Sequence, residues 1–401
     1  MRLHTTLSLL FAAAAVPASA QEPASTAPVR YGLSIGDYPN VTGLRINFRD
    51  RSLGDVHGAN VTIWTPYGGD AGGSVRGIAL GLPLTQAGSI HGIATGLFGA
   101  GAGHELSGIA FAPVGIGSGG RLRGIAVGGV GVGAGGNIEG IAIGGIGAGT
   151  GGNAHGILLG GIGAGVGGSL RGGAAGLIGV GAGGNAHGIL LGGIGAASGG
   201  RLSGIAIGGV GVGAGKGGRG LMIGGIGAGL GGDFEGVAAG GIGVGAGGNG
   251  RGVLFGGIGA GVGGNFSGIA IGGVGVGAGG TLRGLAIGGI GVGAGNSIDG
   301  IAISAVGVGS PTIRKFAMAP LIGAVHMDGL MVAPVLARLE PDGSMRGVSV
   351  SAVNAMRGSQ QGLTIGLVNY ARELDGMQIG VINIARNASV KFLPIVNYHR
   401  K

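Results

Sequence analysis

Charged and imidazole side chains recur along this 401-residue chain at a fixed interval of 16. The column reads His91, Ser107, Arg123, Glu139, His155, Arg171, His187, Ser203, Arg219, Glu235, Arg251, Ser267, Arg283 and Asp299. Such residues could serve acid–base catalysis, metal ligation or the binding of a polar ligand. Catalysis needs a nucleophile, a base and an orienting group within reach of one another. No Ser/His/Asp set and no paired carboxylates stand together, so no catalytic residue is assigned and the chain is read as a non-enzyme. His155 and His187 lie two repeats apart, too far in a stacked array to hold one ion, and no metal ligand is assigned. That leaves binding. Arg123, Glu139, His155, Arg171, His187, Arg219, Glu235, Arg251 and Arg283 form a candidate surface stripe of mixed charge. The plainer alternative is a solvated edge in which no two neighbours carry the same full charge, as expected where adjacent like charges repel.

Other motifs dissolve on inspection. Gly-x-Gly-x-x-Gly strings recur with the repeat and precede no helix, so they do not signal a dinucleotide site. Gly215-Lys216 lacks the Ser or Thr that a phosphate loop requires. A calcium-binding nonapeptide array needs an Asp in each unit, and the repeats hold only Asp233 and Asp299. No cofactor is expected. The formal net charge is +9, but the arginines are dispersed and aromatics make up 4% of the chain. Without a basic run or stacking residues, no nucleic-acid partner is expected.

The elements that hold the column are copies of one unit. Glycines 92, 108, 124, 140, 156, 172, 188, 204, 220, 236, 252, 268, 284 and 300 open fourteen units without an insertion. Looser units open at Gly43, Gly58 and Gly77, and others at Gly329, Gly347, Gly362 and Gly376. Aliphatics fall at positions 2, 4, 7 and 9, as in Ile141, Ile143, Ile146 and Ala148. A spacing of two marks strands, and the Gly-Gly pairs mark turns where the backbone bends cheaply. Each unit reads as two short strands and two turns. Glycine costs roughly 0.5–1 kcal/mol against alanine in regular structure, while a buried Ile or Val contributes roughly 1.5–3 kcal/mol. One coil cannot fold alone, but stacked coils sharing a core can.

The expected fold is therefore all-β, a parallel β-solenoid of glycine-rich 16-residue coils with capping units at both ends. The aliphatics at positions 2, 4, 7 and 9 are expected inside. The outward face is then glycine on the second strand (Gly145, Gly147, Gly149), and apolar at position 3 of the first (Ala142, Leu158, Ala174, Leu190, Ala206, Met222, Ala238, Leu254). A flat face poor in polar side chains marks an interaction site. The competing architecture is an outer-membrane β-barrel, which expects strands of about ten residues and aromatic girdles.

Arg2, the apolar run from Leu7 to Val16 and Ala18-Ser19-Ala20 read as a secretory signal peptide. The chain has no cysteine, so disulfides and thiol chemistry are excluded. Glycine supplies 111 residues and apolar residues 45%, a combination that can bury a core where polar glycine-rich linkers cannot. The organisation reads as signal peptide 1–20, linker 21–42, degenerate N-terminal repeats 43–91, fourteen repeats over 92–315, and a divergent C-terminal cap 316–401.

The ends carry a different unit. Gly362-Leu-Thr-Ile-Gly-Leu-Val-Asn-Tyr-Ala371 is followed after 14 residues by Gly376-Met-Gln-Ile-Gly-Val-Ile-Asn-Ile-Ala385, and the chain closes on Leu393-Pro-Ile-Val-Asn-Tyr398. Asn369 and Asn383 are placed to form an amide ladder. Tyr370, Phe392, Tyr398 and the basic tail from His399 are expected to cover the open core. These units, with Gly43-Leu-Arg-Ile-Asn-Phe48, resemble the bacterial surface repeat-containing protein family. The resemblance covers about a third of the chain and implies an envelope location, with no activity attached.

Export to the periplasm, outer surface or exterior is thus expected. The role is structural or interactive, through self-association or contact with an envelope component. The alternative is an adhesin-like module that binds polysaccharide.

Overall fold

The computed structural model describes residues 27–66 and 72–400. The signal-peptide reading of residues 1–20 lies outside the described residues. The described residues contain strands and turns and no helix, and the chain divides into two compact units, Met1–Ile194 and Gly195–Lys401. Each is a parallel β-solenoid. The strand pairs are parallel, apart from the last strand, Phe392–His399, which runs antiparallel to residues 376–384. Parallel stacking rules out the antiparallel ladder of a membrane barrel.

A coil in the first unit shows the construction. The long strand Ile138–Gly144 turns through Gly145 and Ile146 into the short strand Gly147–Thr150. A second turn leads to Ala154–Gly160, which lies on the first strand with Gly140 opposite Gly156 and Ile141 opposite Ile157. The turns stack as well: Ile162 N donates to Ile146 O at 2.7 Å, and Gly168 N to Gly152 O at 2.8 Å. The same pattern serves the second unit, where Gly236 stands opposite Gly252 and Ile258 N donates to Ile242 O at 2.7 Å.

The opening glycine of each coil holds a positive φ, +129° at Gly140 and +133° at Gly156. Alternation runs straight through this glycine: Ala154 and Leu158 are buried, while His155 and Ile157, two residues apart, face outward. A Cβ at Gly156 would overlap the carbonyl oxygen of Gly140 one coil back. The column is continued by the looser units: Gly43 faces Gly58 and Gly58 faces Gly77. It begins earlier than the sequence suggested. Arg30–Ile35, assigned to the linker, is a strand paired with Val41–Asn47. In the second unit one coil opens on Lys315 instead of glycine, with φ 79°.

The expected inside and outside of the first strand are exchanged. Position 3 faces the core: Ala142, Leu158, Ala174, Leu190, Ala206, Met222, Ala238 and Leu254 are all buried. Positions 2, 4 and 7 face outward, with Ile157 45%, Leu159 38% and Ile162 48% exposed. Positions 9, 11 and 15 complete the interior, as in Ala164, Val166 and Leu170. Size is the reason. A 16-residue coil encloses a narrow space that side chains from both strands must share, and interiors close to crystal-like density leave no room for large branched residues in every layer.

The interior instead alternates between coils. Leu158, Ala164, Val166 and Leu170 form one layer, and Ala174, Val180, Ala182 and Ala186 the next. In the second unit Ala206, Val212, Ala214 and Gly218 precede Met222, Ala228, Leu230 and Phe234. A Cβ at Gly218 would overlap Met222 Cε and approach Leu230 Cδ2 to 2.7 Å. Large side chains thus fill the room that small ones leave. From Ala142 to Ala270 the packing repeat is 32 residues, twice the backbone repeat, whereas position 3 is alanine in every coil from Ala94 to Ala142 and from Ala270 to Ala302.

Polar groups replace aliphatics in the terminal coils. In the first unit Arg45, at an inward position 3, is fully buried. Its Nε donates to Tyr38 O at 2.7 Å, Nη1 to Asn60 Oδ1 at 2.8 Å and to Asp50 Oδ1, and Nη2 to Asp37 Oδ1 at 2.6 Å. Thr62 Oγ1 donates to Asp50 Oδ2 at 2.6 Å. In the second unit the expected amide ladder is present and one step longer. Asn354 Nδ2 donates to Asn369 Oδ1 at 2.7 Å, and Asn369 Nδ2 to Asn383 Oδ1 at 2.8 Å, all three residues buried. The aromatic lid is not found. Phe392 and Tyr398 are 53% and 60% exposed, and the last coil is closed by backbone pairing to their strand.

Candidate functional site

Each unit presents three outward surfaces: a charged edge at positions 14 and 16, aliphatic ranks at positions 2, 4 and 7, and a glycine face at positions 8 and 10. Among the described residues no group of three or more His, Asp or Glu could hold a metal ion.

The charged edge is placed as the sequence indicated. In the first unit Arg123, Glu139, His155, Arg171 and His187 follow one another in register. Arg171 stands between the two histidines. In the second unit Arg219, Glu235, Arg251, Ser267, Arg283 and Asp299 do the same. Arg123 Nε meets Glu139 Oε2 at 2.9 Å and Arg219 Nε meets Glu235 Oε2 at 3.5 Å. Both pairs are solvated and so contribute little to stability. At the end of the row Lys315 Nζ lies 2.9 Å from Asp299 Oδ1. Its hydrogen bond holds the Asp299 carboxyl below the usual carboxylate range, against the opposing effect of burial.

Beside the charged row runs a polar row at position 14 that the sequence reading overlooked. In the first unit Asn153 N donates to Asn137 Oδ1, and Ser169 N to Asn153 Oδ1, each at 2.8 Å. In the second, Asn249 N donates to Asp233 Oδ1 at 2.7 Å, Asn265 N to Asn249 Oδ1 at 2.9 Å and Thr281 N to Asn265 Oδ1 at 2.8 Å. Each side chain accepts from the backbone of the next coil, where the strand has not yet resumed its own ladder. The signal was available: Asn, Ser, Asp or Thr fills position 14 in most units. In the second unit the two rows wall a shallow groove of about 430 Å³, with Gly218 and Gly250 in its floor and Arg219, Arg251 and Arg283 along one side.

The glycine face follows the expectation at Gly147 and Gly149, which are both partly exposed. Gly145 belongs to the turn, where a Cβ would overlap Gly129 O. Position 10 is different in kind. A Cβ at Gly117, Gly133, Gly165 or Gly181 in the first unit, or at Gly229 or Gly277 in the second, meets nothing within 4 Å. None of these glycines holds a positive φ. Ala197 occupies position 10 of one coil, inside the strand Gly195–Ser198. Neither the backbone conformation nor the chain's own packing requires glycine at those six positions, whereas a Cβ at Gly149 would come within 3.2 Å of Gly165 O.

The aliphatic ranks were not foreseen as surface. Ile189, Leu191 and Ile194 in the first unit are 43–51% exposed, and Val237, Phe255 and Ile258 in the second 43–51%. Scattered exposed aliphatics are ordinary, whereas contiguous ranks repeated coil after coil mark a contact surface.

Comparison with family models, with curated proteins and with solved structures matches nothing.

Proposed function

We propose that this chain is an exported, non-enzymatic structural protein of the bacterial envelope or surface, and that it works by self-association. One copy packs on another through the glycine face and the adjoining aliphatic ranks. The observation that carries this reading is position 10. Glycine there weakens a strand by roughly 0.5–1 kcal/mol against alanine, yet in coils such as those of Gly117, Gly165 and Gly277 it relieves no clash within the chain. It does permit a second backbone to approach closely. Two ordinary sheets pack about 10 Å apart because side chains separate them, and two glycine faces can come nearer. The aliphatic ranks beside them supply the apolar area such a contact buries, worth about 25 cal/mol per Å². The second copy presents the same flat surface, as a two-fold interface requires. The location is supported by the pattern of Arg2 to Ala20 and by the terminal units' resemblance to surface repeat proteins.

Sedimentation of the mature chain over a range of concentrations tests the reading, with dimers or larger species expected. The triple substitution Gly229→Leu, Gly245→Leu and Gly261→Leu places side chains on the outward face and should yield monomers with an unchanged β-spectrum. A native chain that stays monomeric at high concentration overturns it.

A further inference from the structure

We propose that the groove on the charged edge of the second unit binds an extended anionic polysaccharide, one that turns an acidic group toward the protein once per disaccharide. The site is independent of the faces assigned to self-association.

The groove has the form of a track. Its walls are position 14, with Asp233, Asn249, Asn265 and Thr281, and position 16, with Arg219, Glu235, Arg251, Ser267 and Arg283. Two residues apart in a strand, the walls stand about 6.6 Å from one another, and the track advances by about 4.8 Å per coil. A polymer strand lying along the stack, on the rim of this shallow groove, touches both rows. Side-chain amides, a hydroxyl and the Asp233 carboxylate line one wall, suited to sugar hydroxyls, and the other carries three guanidinium groups with Ser267 and Glu235, the latter paired to Arg219.

Charge along the track has its own period. His91, Arg123, His155, His187, Arg219, Arg251 and Arg283 are 32 residues apart, and all are basic side chains. The coils between carry Ser107, Glu139, Arg171, Ser203, Glu235, Ser267 and Asp299. Cross-coil ion pairing explains Arg219 beside Glu235. Arg251 and Arg283 stand beside Glu235 and Asp299 in register, but Glu235 pairs with Arg219 and Asp299 with Lys315, and the two arginines line the groove on either side of Ser267. Arginines on alternate coils recur every ~9.6 Å, twice the strand spacing. An extended β-linked glycan repeats over a comparable length, because successive sugars face opposite sides and each side recurs once per disaccharide. Arg is the side chain suited to bidentate carboxylate recognition.

Other ligands fit less well. Neutral glycans are commonly held by exposed aromatic rings, but Phe234 and Phe266 are each 2% exposed and belong to the core. For the same reason single-stranded nucleic acid finds no stacking platform. A duplex presents phosphates every ~3.4 Å along each strand, out of step with the arginines.

The test is fluorescence anisotropy with the mature chain and a labelled hyaluronan oligosaccharide spanning the three arginines, which carries one carboxylate per disaccharide. Binding is expected, and Arg219→Gln/Arg251→Gln/Arg283→Gln should weaken it by about tenfold or more. Arg338→Gln/Arg357→Gln, exposed arginines outside the groove, should leave it within about twofold. The glycine-face leucine variant should bind as the native chain does, so the two proposals fail separately. Absence of hyaluronan binding, equal binding of its carboxyl-reduced form, indifference to the triple substitution, or tighter binding of oligothymidylate overturns the assignment.

Discussion

The glycines of this chain fall into classes that composition alone does not separate. At position 1 glycine is demanded twice over, by a positive φ and by a carbonyl oxygen where a Cβ would sit. At position 10 of most coils, Gly165 among them, it is demanded by neither. Gly156→Ala should therefore destabilise the first unit by more than about 2 kcal/mol, since overlap adds to the strain of a positive φ. Gly165→Ala should be neutral or stabilise by about 0.5–1 kcal/mol. Denaturation midpoints of the two variants decide this. Lys315 is the natural exception, a side chain in the glycine column. Lys315→Gly should relieve about 1 kcal/mol of backbone strain and return the Asp299 pKa toward its ordinary value. Because Lys315 depresses that pKa in the folded chain, the pair's stabilisation is complete above the ordinary carboxylate range. It is lost as pH falls through the depressed value. A carboxyl NMR titration of Asp299 in both chains reads the difference, and an identical curve would refute it.

At the scale of the element, the alternation of large and small layers makes neighbouring coils interdependent. Gly218→Ala should cost about 1–3 kcal/mol by overpacking against Met222. In a Met222→Ala background the same methyl enters vacated space, so a double-mutant cycle should show coupling of about 1 kcal/mol or more. Additive effects would deny the interlock. The strands, the period, the glycine column and the Asn369–Asn383 ladder were all legible in the sequence. The facing of the first strand was not. Both phases of that strand are apolar, Ile141 and Ile143 in one and Ala142 in the other, so period-two alternation identifies a strand without orienting it. Side-chain volume decides, and the 32-residue alternation of Leu158, Ala174 and Leu190 was the available clue. The charged edge was legible by position. The groove was not, because it depends on a row of acceptors that only the stacking of coils brings together.

At the scale of the molecule, each unit is a stack in which coils contact their immediate neighbours, so stability is local and propagates from coil to coil. The terminal network around Arg45 then guards one end and not the whole. Arg45→Ala leaves Asp50 buried at 1% exposure without its guanidinium, a change of about 3–5 kcal/mol. Hydrogen exchange should accelerate over residues 30–62 while residues 124–188 keep their protection. Uniform loss across the first unit would contradict a local array. The ends are polar where uniqueness of register matters, and the middle is apolar where repetition already fixes it.

A protein made by copying one coil carries a record of its own drift. Among the fourteen copies, positions 2, 4, 11, 14, 15 and 16 have wandered through many side chains, so the copies are old enough to differ. Position 10 has stayed glycine in all but one, at Ala197. Folding does not hold it there, since a methyl has open space at Gly117, Gly165 and Gly277. If copies associate as proposed, the invariance of that rank is the imprint of the facing copy, a constraint that acts from beyond the chain.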